Sequence, residues 1–337
     1  MTAGCGGPDA SPPPTTAAPS NLAGVDPGAP PVNPGGTGSG ADRDPTARAS
    51  TPTAVDGLRL PRTPDELTGA LGEAELAVRD PAVAGGPDPD GAATRADPAL
   101  LAAWGRRQQV LYRVLAAHPE WADEVTAGVD PAVAPAVAAN WRAQKALLDL
   151  VLAAPLSPTL PAWTIREPAP AANLLALYQE AEAATGVPWE TLAAIHLVET
   201  RMSRIDGASS AGAVGPMQFL PSTWAACCQG DPTVDAEAIM GAAVYLVSLG
   251  APGAMDEALR GYNNSEAYVT AIEAYSTVMT DDPAAYGGYH GWEVIYQSSA
   301  GLIRLPAGYQ ETEPVDAAAW VAARPDLMVM PAATPSE

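Results

Sequence analysis

A mostly α fold is what this sequence predicts, and three observations predict it. Helix-start signals recur: Thr63-Pro64, Asp97-Pro98 and Asp130-Pro131 each open a run in which apolar residues return every three or four positions. No stretch alternates polar and apolar residues like a strand for long, except Trp292 to Leu305. Residues 1–57 are dominated by Pro, Gly, Ala, Ser and Thr and have almost no large apolar side chains, so order is expected to begin near Leu58.

Thr63, Pro64, Asp65 and Glu66 combine an N-cap, a proline at the first helical position and a capping-box glutamate, which predicts a helix to about Arg79. A loop rich in Gly, Pro and Asp runs from Asp80 to Ala96. Asp97-Pro98 then starts a helix with Leu101, Trp104, Gln108, Leu111 and Leu115 on one side, and Asp130-Pro131 starts another carrying Val137, Trp141, Leu148 and Val151. These faces must be buried, either as a layer packed on the later helices or as a small domain of their own. Prolines between Pro155 and Pro170 place a boundary there. Helices are expected to resume over 171–184, 188–204, 221–228, 235–249, 255–259 and 265–280. The chain after Gly308 reads as loosely held, apart from a helical turn over 317–323. The organisation expected is a tether over 1–57, a helical region of unassigned role over 58–160, a chemistry-bearing domain over 161–311 and a tail over 312–337.

The net charge is −22 and Lys145 is the only lysine among the 337 residues. So acidic a chain lacks the basic surface that nucleic acid or anionic lipid requires, and neutral or cationic partners fit better. The three cysteines, Cys5, Cys227 and Cys228, make no disulfide scaffold, and with three histidines no zinc spacing can be assembled. No metal or other cofactor is expected. Cys227 and Cys228 are expected to pack as small hydrophobes in preference to a vicinal disulfide. Small residues before Cys5 resemble the end of a bacterial lipoprotein signal, in which the cysteine is acylated, although the charged and apolar parts of a signal peptide are missing. Membrane attachment is expected only through such a lipid. The competing reading is an incidental thiol.

Glu199 is the most informative residue. On a helix from Pro188 to Arg204, Leu192, Ile195, Glu199 and Met202 fall on one face, so a carboxylate is set among apolar side chains. Burial there raises its pKa and lets it hold a proton for donation at neutral pH. The bland alternative is a Glu paired with Arg201, Arg204 or His196. After Thr200 comes a small, flexible stretch, Gly207 to Val214, and then Gly215-Pro216-Met217-Gln218-Phe219-Leu220-Pro221. Such a glycine-rich turn lets backbone approach a ligand, while Met217, Gln218 and Phe219 offer a soft contact, an amide and an aromatic face. By composition alone, Phe219 and Trp224 are more often core than cleft. Further on, Gly261, Tyr262, Asn263, Asn264, Ser265 and Tyr268 mark a helix junction that can reach the end of Glu199's helix, although capping is the commoner duty there.

The order and spacing of these three pieces resembles the lytic transglycosylases with a goose-lysozyme-like catalytic domain. That family shows Glu-Ser at a helix end, then Gly-Leu-Met-Gln, then Ala-Tyr-Asn. The matches here are Glu199-Thr200, Gly215-Pro216-Met217-Gln218 and Gly261-Tyr262-Asn263. The run from Gly215 to Trp224 looks like the version in secreted or lipid-anchored enzymes of high-GC Gram-positive bacteria. The resemblance covers roughly residues 170 to 310 and departs from the family at Thr200, Pro216 and Gly261.

The resemblance implies a lysozyme-like domain acting on peptidoglycan glycan strands, outside the cytoplasm and as a monomer. Glu199 would be the sole catalytic acid and base. Ser210, or Ser209 in its place, would be a polar contact, and Thr200, Gly215, Met217, Gln218, Phe219, Tyr262 and Asn263 would be substrate-contacting residues. Hydrolysing glycosidases normally use two carboxylates, whereas only one lies in a matching motif here. A transglycosylase needs no second acid, because the substrate's own C6 hydroxyl closes a 1,6-anhydro ring. The alternatives are a muramidase, with Asp206 positioning a water, and a non-catalytic wall-binding protein.

Overall fold

Thr63 does cap the first helix, accepting the Glu66 N–H at 3.2 Å with Pro64 in the first position. The Glu66 carboxylate turns outward to the Arg62 N–H at 2.8 Å and the Arg59 guanidinium at 2.6 Å, so the reciprocal half of the capping box is not made. The structure, a computed structural model, describes residues 59–87, 93–94 and 96–332 and is mostly α-helical. Cys5 and the expected tether lie outside the described residues.

The helices are α1 (Pro64–Ala77), α2 (Pro81–Ala84), α3 (Pro98–Ala117), α4 (Ala122–Gly128), α5 (Ala134–Leu152), α6 (Ala171–Thr185) and α7 (Trp189–Thr200), succeeded by α8 (Pro221–Cys227), α9 (Asp235–Ser248), α10 (Met255–Tyr262), α11 (Glu266–Asp281), α12 (Ala285–His290) and α13 (Ala317–Ala322). Asp97 caps α3 through the Ala99 and Leu100 N–H groups. Asp130 caps a separate turn through the Ala132 N–H at 2.9 Å, so α5 starts later than its Asp-Pro signal suggests.

The short strands are β1 (Gly86–Pro87), β2 (Ala93–Thr94), β3 (Thr159–Leu160), β4 (Thr164–Ile165), β5 (Ile205–Asp206), β6 (Val294–Ser298), β7 (Gly301–Leu305), β8 (Val315–Asp316) and β9 (Met328–Pro331). β6 and β7 form an antiparallel hairpin within the one stretch that alternates. β9 adds to β7, β8 pairs with β3, and β5 pairs with β4. The chain beyond Gly308 is therefore built into the fold as far as Pro331, which corrects the expectation of a loosely held tail. Its backbone hydrogen bonds go to β3 and β7, and Ala317 and Val321 of α13 enter a second core with Trp163, Ile303 and Tyr309.

The main core is continuous from Leu67 in α1 to Trp292, so the helices before residue 155 are a layer packed on those after it. α11 lies along α5 and α7, and Gln144 of α5 donates to the Tyr275 hydroxyl at 2.6 Å. The two halves also share a buried polar cluster around Glu75, which is fully buried on α1. Its carboxylate accepts from Gln108 at 2.8 Å, from Asn140 at 3.3 Å and from the Tyr112 hydroxyl, and pairs with Arg79. Arg79 reaches on to Asp282 at 2.7 Å, Trp292 donates to Gln108 at 3.0 Å, and Tyr289 donates to Asn140 at 2.5 Å.

Cys227 and Cys228 are joined by a disulfide, a correction to their expected role as separate small hydrophobes. α8 ends at Cys227 and Cys228 is extended, with φ −133° and ψ 169°. Within a continuing helix, neighbouring side chains point about 100° apart. Leaving the helix between the two lets the sulfurs meet.

Candidate active site

α7 is buried on every side, with all residues from Thr191 to Thr200 inside. That differs from a one-faced apolar stripe and is the pattern of a helix running through a core. It also stops at Thr200, four residues short of its expected end. Arg201, Met202 and Ser203 take φ of +55°, +57° and +69°, and with Gln218 at +49° they are the positive-φ non-glycine residues of the described chain. Such backbone costs about 1–3 kcal/mol per residue, persists only when its surroundings over-determine it, and gathers at functional sites. Arg201, Met202 and Ser203 directly follow the Glu199-Thr200 motif, and Gln218 ends the Gly215–Gln218 motif.

The surroundings do over-determine it. The Arg201 guanidinium donates to the Leu197 carbonyl at the end of α7, the Met202 N–H to the His196 carbonyl at 3.1 Å, and the Ser203 N–H to the Thr200 hydroxyl at 3.2 Å. Ser203 also ends a buried chain. Tyr178 donates to His196 Nδ1 at 2.8 Å, His196 Nε2–H donates to Ser203 Oγ at 2.7 Å, and Ser203 donates to the Asp235 carboxylate. The tautomer is fixed by this chain, because a hydroxyl that gives its proton to a carboxylate must accept from the imidazole. Burial pushes His196 down to about 3, so it is neutral.

Glu199 occupies the last turn of α7 and is 8 % exposed. Burial drives its carboxyl up to about 7, while the Tyr268 phenol and the charge of Arg201 act against that shift and lose. The Tyr268 hydroxyl stands close to the carboxyl without meeting the geometry of a full hydrogen bond. Tyr262 and Tyr268 are pushed well above the ordinary tyrosine range, first by their own burial and then by the adjacent Glu199 charge. The bland pairing does not occur: His196 is committed to Tyr178 and Ser203, and Arg204 donates to the carbonyls of Trp292 and His290. No ion pair to Glu199 forms among the described residues.

The expected motifs do come together. Thr200 donates to the Pro216 carbonyl at 2.7 Å, tying the end of α7 to the Gly215–Gln218 turn. Tyr262 donates to the Met217 carbonyl at 2.6 Å, tying the α10–α11 junction to the same turn. Gln218 closes the turn on itself through the Gly215 carbonyl at 2.9 Å. Gly215 has φ +77°, and a Cβ there would lie 1.9 Å from the Pro232 carbonyl oxygen, so only glycine fits.

Several residues expected at a substrate are instead interior. Thr200 and Met217 are fully buried, and Phe219, 3 % exposed, packs edge-on against Trp224 at 5.0 Å and Tyr262 at 5.8 Å. These three support the site from behind, which for Phe219 is the core role that its composition favoured and for Thr200 and Met217 corrects their expected place at the substrate. Ser210 is exposed, while Ser209 is buried and spends its hydroxyl accepting the Ala213 N–H at 2.9 Å. Gln218 and Tyr262 are half-buried, and Asn263 is buried with its side-chain oxygen unpartnered. Asp206 is exposed in β5 and ion-paired with Arg166.

What the sequence reading missed is the electrostatic floor. Arg113 on α3 and Arg201 are both buried, with Tyr275 lying within reach of both charges. Burial and the repulsion of Arg201 bring Arg113 down to about 9. Arg113 lies far from the motifs in sequence and on the side of α3 opposite the Leu111 and Leu115 face read as core, so no local signal marks it. Among the described residues no three His, Cys, Asp or Glu side chains converge to hold a metal ion.

The Thr200 latch is open to a direct test. Thr200→Val keeps the shape and leaves the Pro216 carbonyl and the Ser203 N–H without their partner, at a cost of about 1–3 kcal/mol. Thr200→Ser keeps the hydroxyl and is expected to lose less, despite the missing methyl. Urea unfolding that placed serine below valine would show packing, not the latch, to be what matters.

Comparison of the chain with family models, with curated proteins and with solved structures finds no match.

Proposed function

We propose that the chain is a peptidoglycan lytic transglycosylase that cleaves the β-1,4 bond between N-acetylmuramic acid and N-acetylglucosamine without water. One observation carries the proposal: a single carboxyl group, raised by burial to about 7, stands at the strained meeting point of the three resembling motifs. In this reading Glu199 gives its proton to the glycosidic oxygen while the substrate's N-acetyl group stabilises the positive charge developing at C1. The resulting carboxylate then takes the proton of the C6 hydroxyl, and O6 closes on C1. The ring closure is intramolecular, so much of the acceleration is proximity. Tyr262 and Tyr268 stand beside the acid.

The muramidase alternative asks Asp206 to hold a water, and Asp206 is engaged by Arg166, which favours the intramolecular route. A wall-binding protein would have no use for a buried, protonated carboxyl group. The partner proposed is the glycan strand, met in the cell envelope by a monomer, with a lipid on Cys5 as the proposed anchor. Mass analysis of purified peptidoglycan after digestion decides the chemistry. Anhydro ends are expected, reducing ends would replace the proposal with a hydrolase, and unchanged strands would leave a binder.

A further inference from the structure

The Cys227–Cys228 bond joins neighbours in the chain. A cross-link stabilises a fold mainly by closing a loop of the unfolded chain, and its contribution grows with loop length. Adjacent cysteines enclose no intervening residue, so stapling does not account for this bond. Its surroundings suggest another use. Both cysteines are half-buried, and both line a cavity of about 470 Å³ between α6 and α9, with Leu177, Glu180, Met240 and Val244 among its other walls. A small molecule can therefore reach the sulfurs without unfolding.

The bond is also one helical turn from the residues that back the candidate active site. The Cys228 N–H donates to the Trp224 carbonyl at 2.9 Å, and the Trp224 indole donates to the Gly230 carbonyl at 3.1 Å, so the indole is held by the segment that the disulfide opens. The other side of Trp224 is fixed by Gly241, where a Cβ would come within 2.4 Å of the ring. Its edge meets Phe219, the residue after Gln218, at 5.0 Å.

We propose that Cys227–Cys228 is a thiol–disulfide exchange site, reduced by a small neutral dithiol entering the α6–α9 cavity, and that its redox state sets how Trp224 is held against Phe219. A thiolate of the dithiol attacks one sulfur, forms a mixed disulfide and displaces the other sulfur as a thiolate, which takes a proton. The second thiol of the reductant then attacks the mixed disulfide and frees the remaining cysteine. Two electrons and two protons pass to Cys227 and Cys228, and the reductant leaves as its own cyclic disulfide. Glu180 and Glu237 on the cavity wall repel an anionic thiol, so the charged tripeptide glutathione is the slower reductant. None of this depends on what Glu199 does to a glycan.

The test uses the full chain purified under air. Alkylation of native protein should leave the peptide between Arg204 and Arg260 unlabelled, and dithiothreitol should then give it two labels. Reduction should run within about tenfold of the rate in urea, because the bond is accessible in the fold. Tryptophan emission should shift on reduction, and the shift should be absent from Trp224→Phe. The double variant Cys227→Ser, Cys228→Ser should show the reduced emission with no reductant added. Labels before reduction, resistance until the protein is unfolded, or an emission change that persists in Trp224→Phe would each overturn the proposal.

Discussion

Glu199→Gln is expected to abolish glycan cleavage and, at pH 8, to leave the protein more stable than its parent by about 3 kcal/mol. Loss of a general acid costs on the order of a hundred- to ten-thousand-fold in rate. The gain in stability comes from the same burial that makes the acid useful. The carboxyl titrates near 4.5 in the unfolded chain and at about 7 in the fold. Below 4.5 it is protonated in both states and the variant gains nothing. Between 4.5 and 7 the unfolded chain ionises while the fold keeps the proton, so the parent loses stability as the pH rises. Above 7 the fold must hold a buried charge and the loss is complete. Glutamine carries no charge at any of these values, so the gap between variant and parent should open across that window and then stay level. Urea unfolding at pH 4 and pH 8 measures it directly, with no substrate present. A gap equal at both values would mean that Glu199 is not proton-bearing in the fold. In the parent, cleavage should fall as the pH rises through about 7, because the donor form is being lost.

Periodicity and capping chemistry are local, and the elements that depend on them were legible in the sequence. Thr63-Pro64 and Asp97-Pro98 start helices where they are read, and the hairpin falls inside the one alternating stretch. What periodicity cannot show is a helix that is interior all round. α7 is apolar on every face, so the sequence indicates burial without saying which way Glu199 points. Nor can local chemistry foresee the left-handed run after Thr200, because Arg201, Met202 and Ser203 have no intrinsic preference for it. Asp235 from α9, together with His196 and the Thr200 hydroxyl of the helix just before the run, holds it in place. The same limit explains Thr200, Met217 and Phe219. The spacing of the motifs announced that they meet, which they do, but a motif does not say which of its side chains face outward. In the disulfide, two adjacent cysteines look like helix residues until the helix ends between them.

Glu75→Ala should cost about 3–5 kcal/mol, because it leaves three buried donors without their acceptor at once and leaves Arg79 with Asp282 as its remaining carboxylate. Against a typical total of about 5–15 kcal/mol, that is a large share. Glu75→Gln keeps an acceptor for Tyr112 and Gln108, loses the pairing with Arg79, and should fall between alanine and the parent. Because the cluster runs from α1 through α3 and α5 to Asp282, Tyr289 and Trp292, its loss should loosen both sides of the proline-rich segment together. Hydrogen exchange makes that visible. Amides of α3 and of α7 should lose protection by similar factors in Glu75→Ala, and both should track one cooperative urea transition. If α7 kept its protection while α3 lost it, the helices before residue 155 would be a separable domain. If the two fall together, the layer that carries Arg113 is part of what holds Glu199 in place, and a fragment starting after residue 155 should fail to fold.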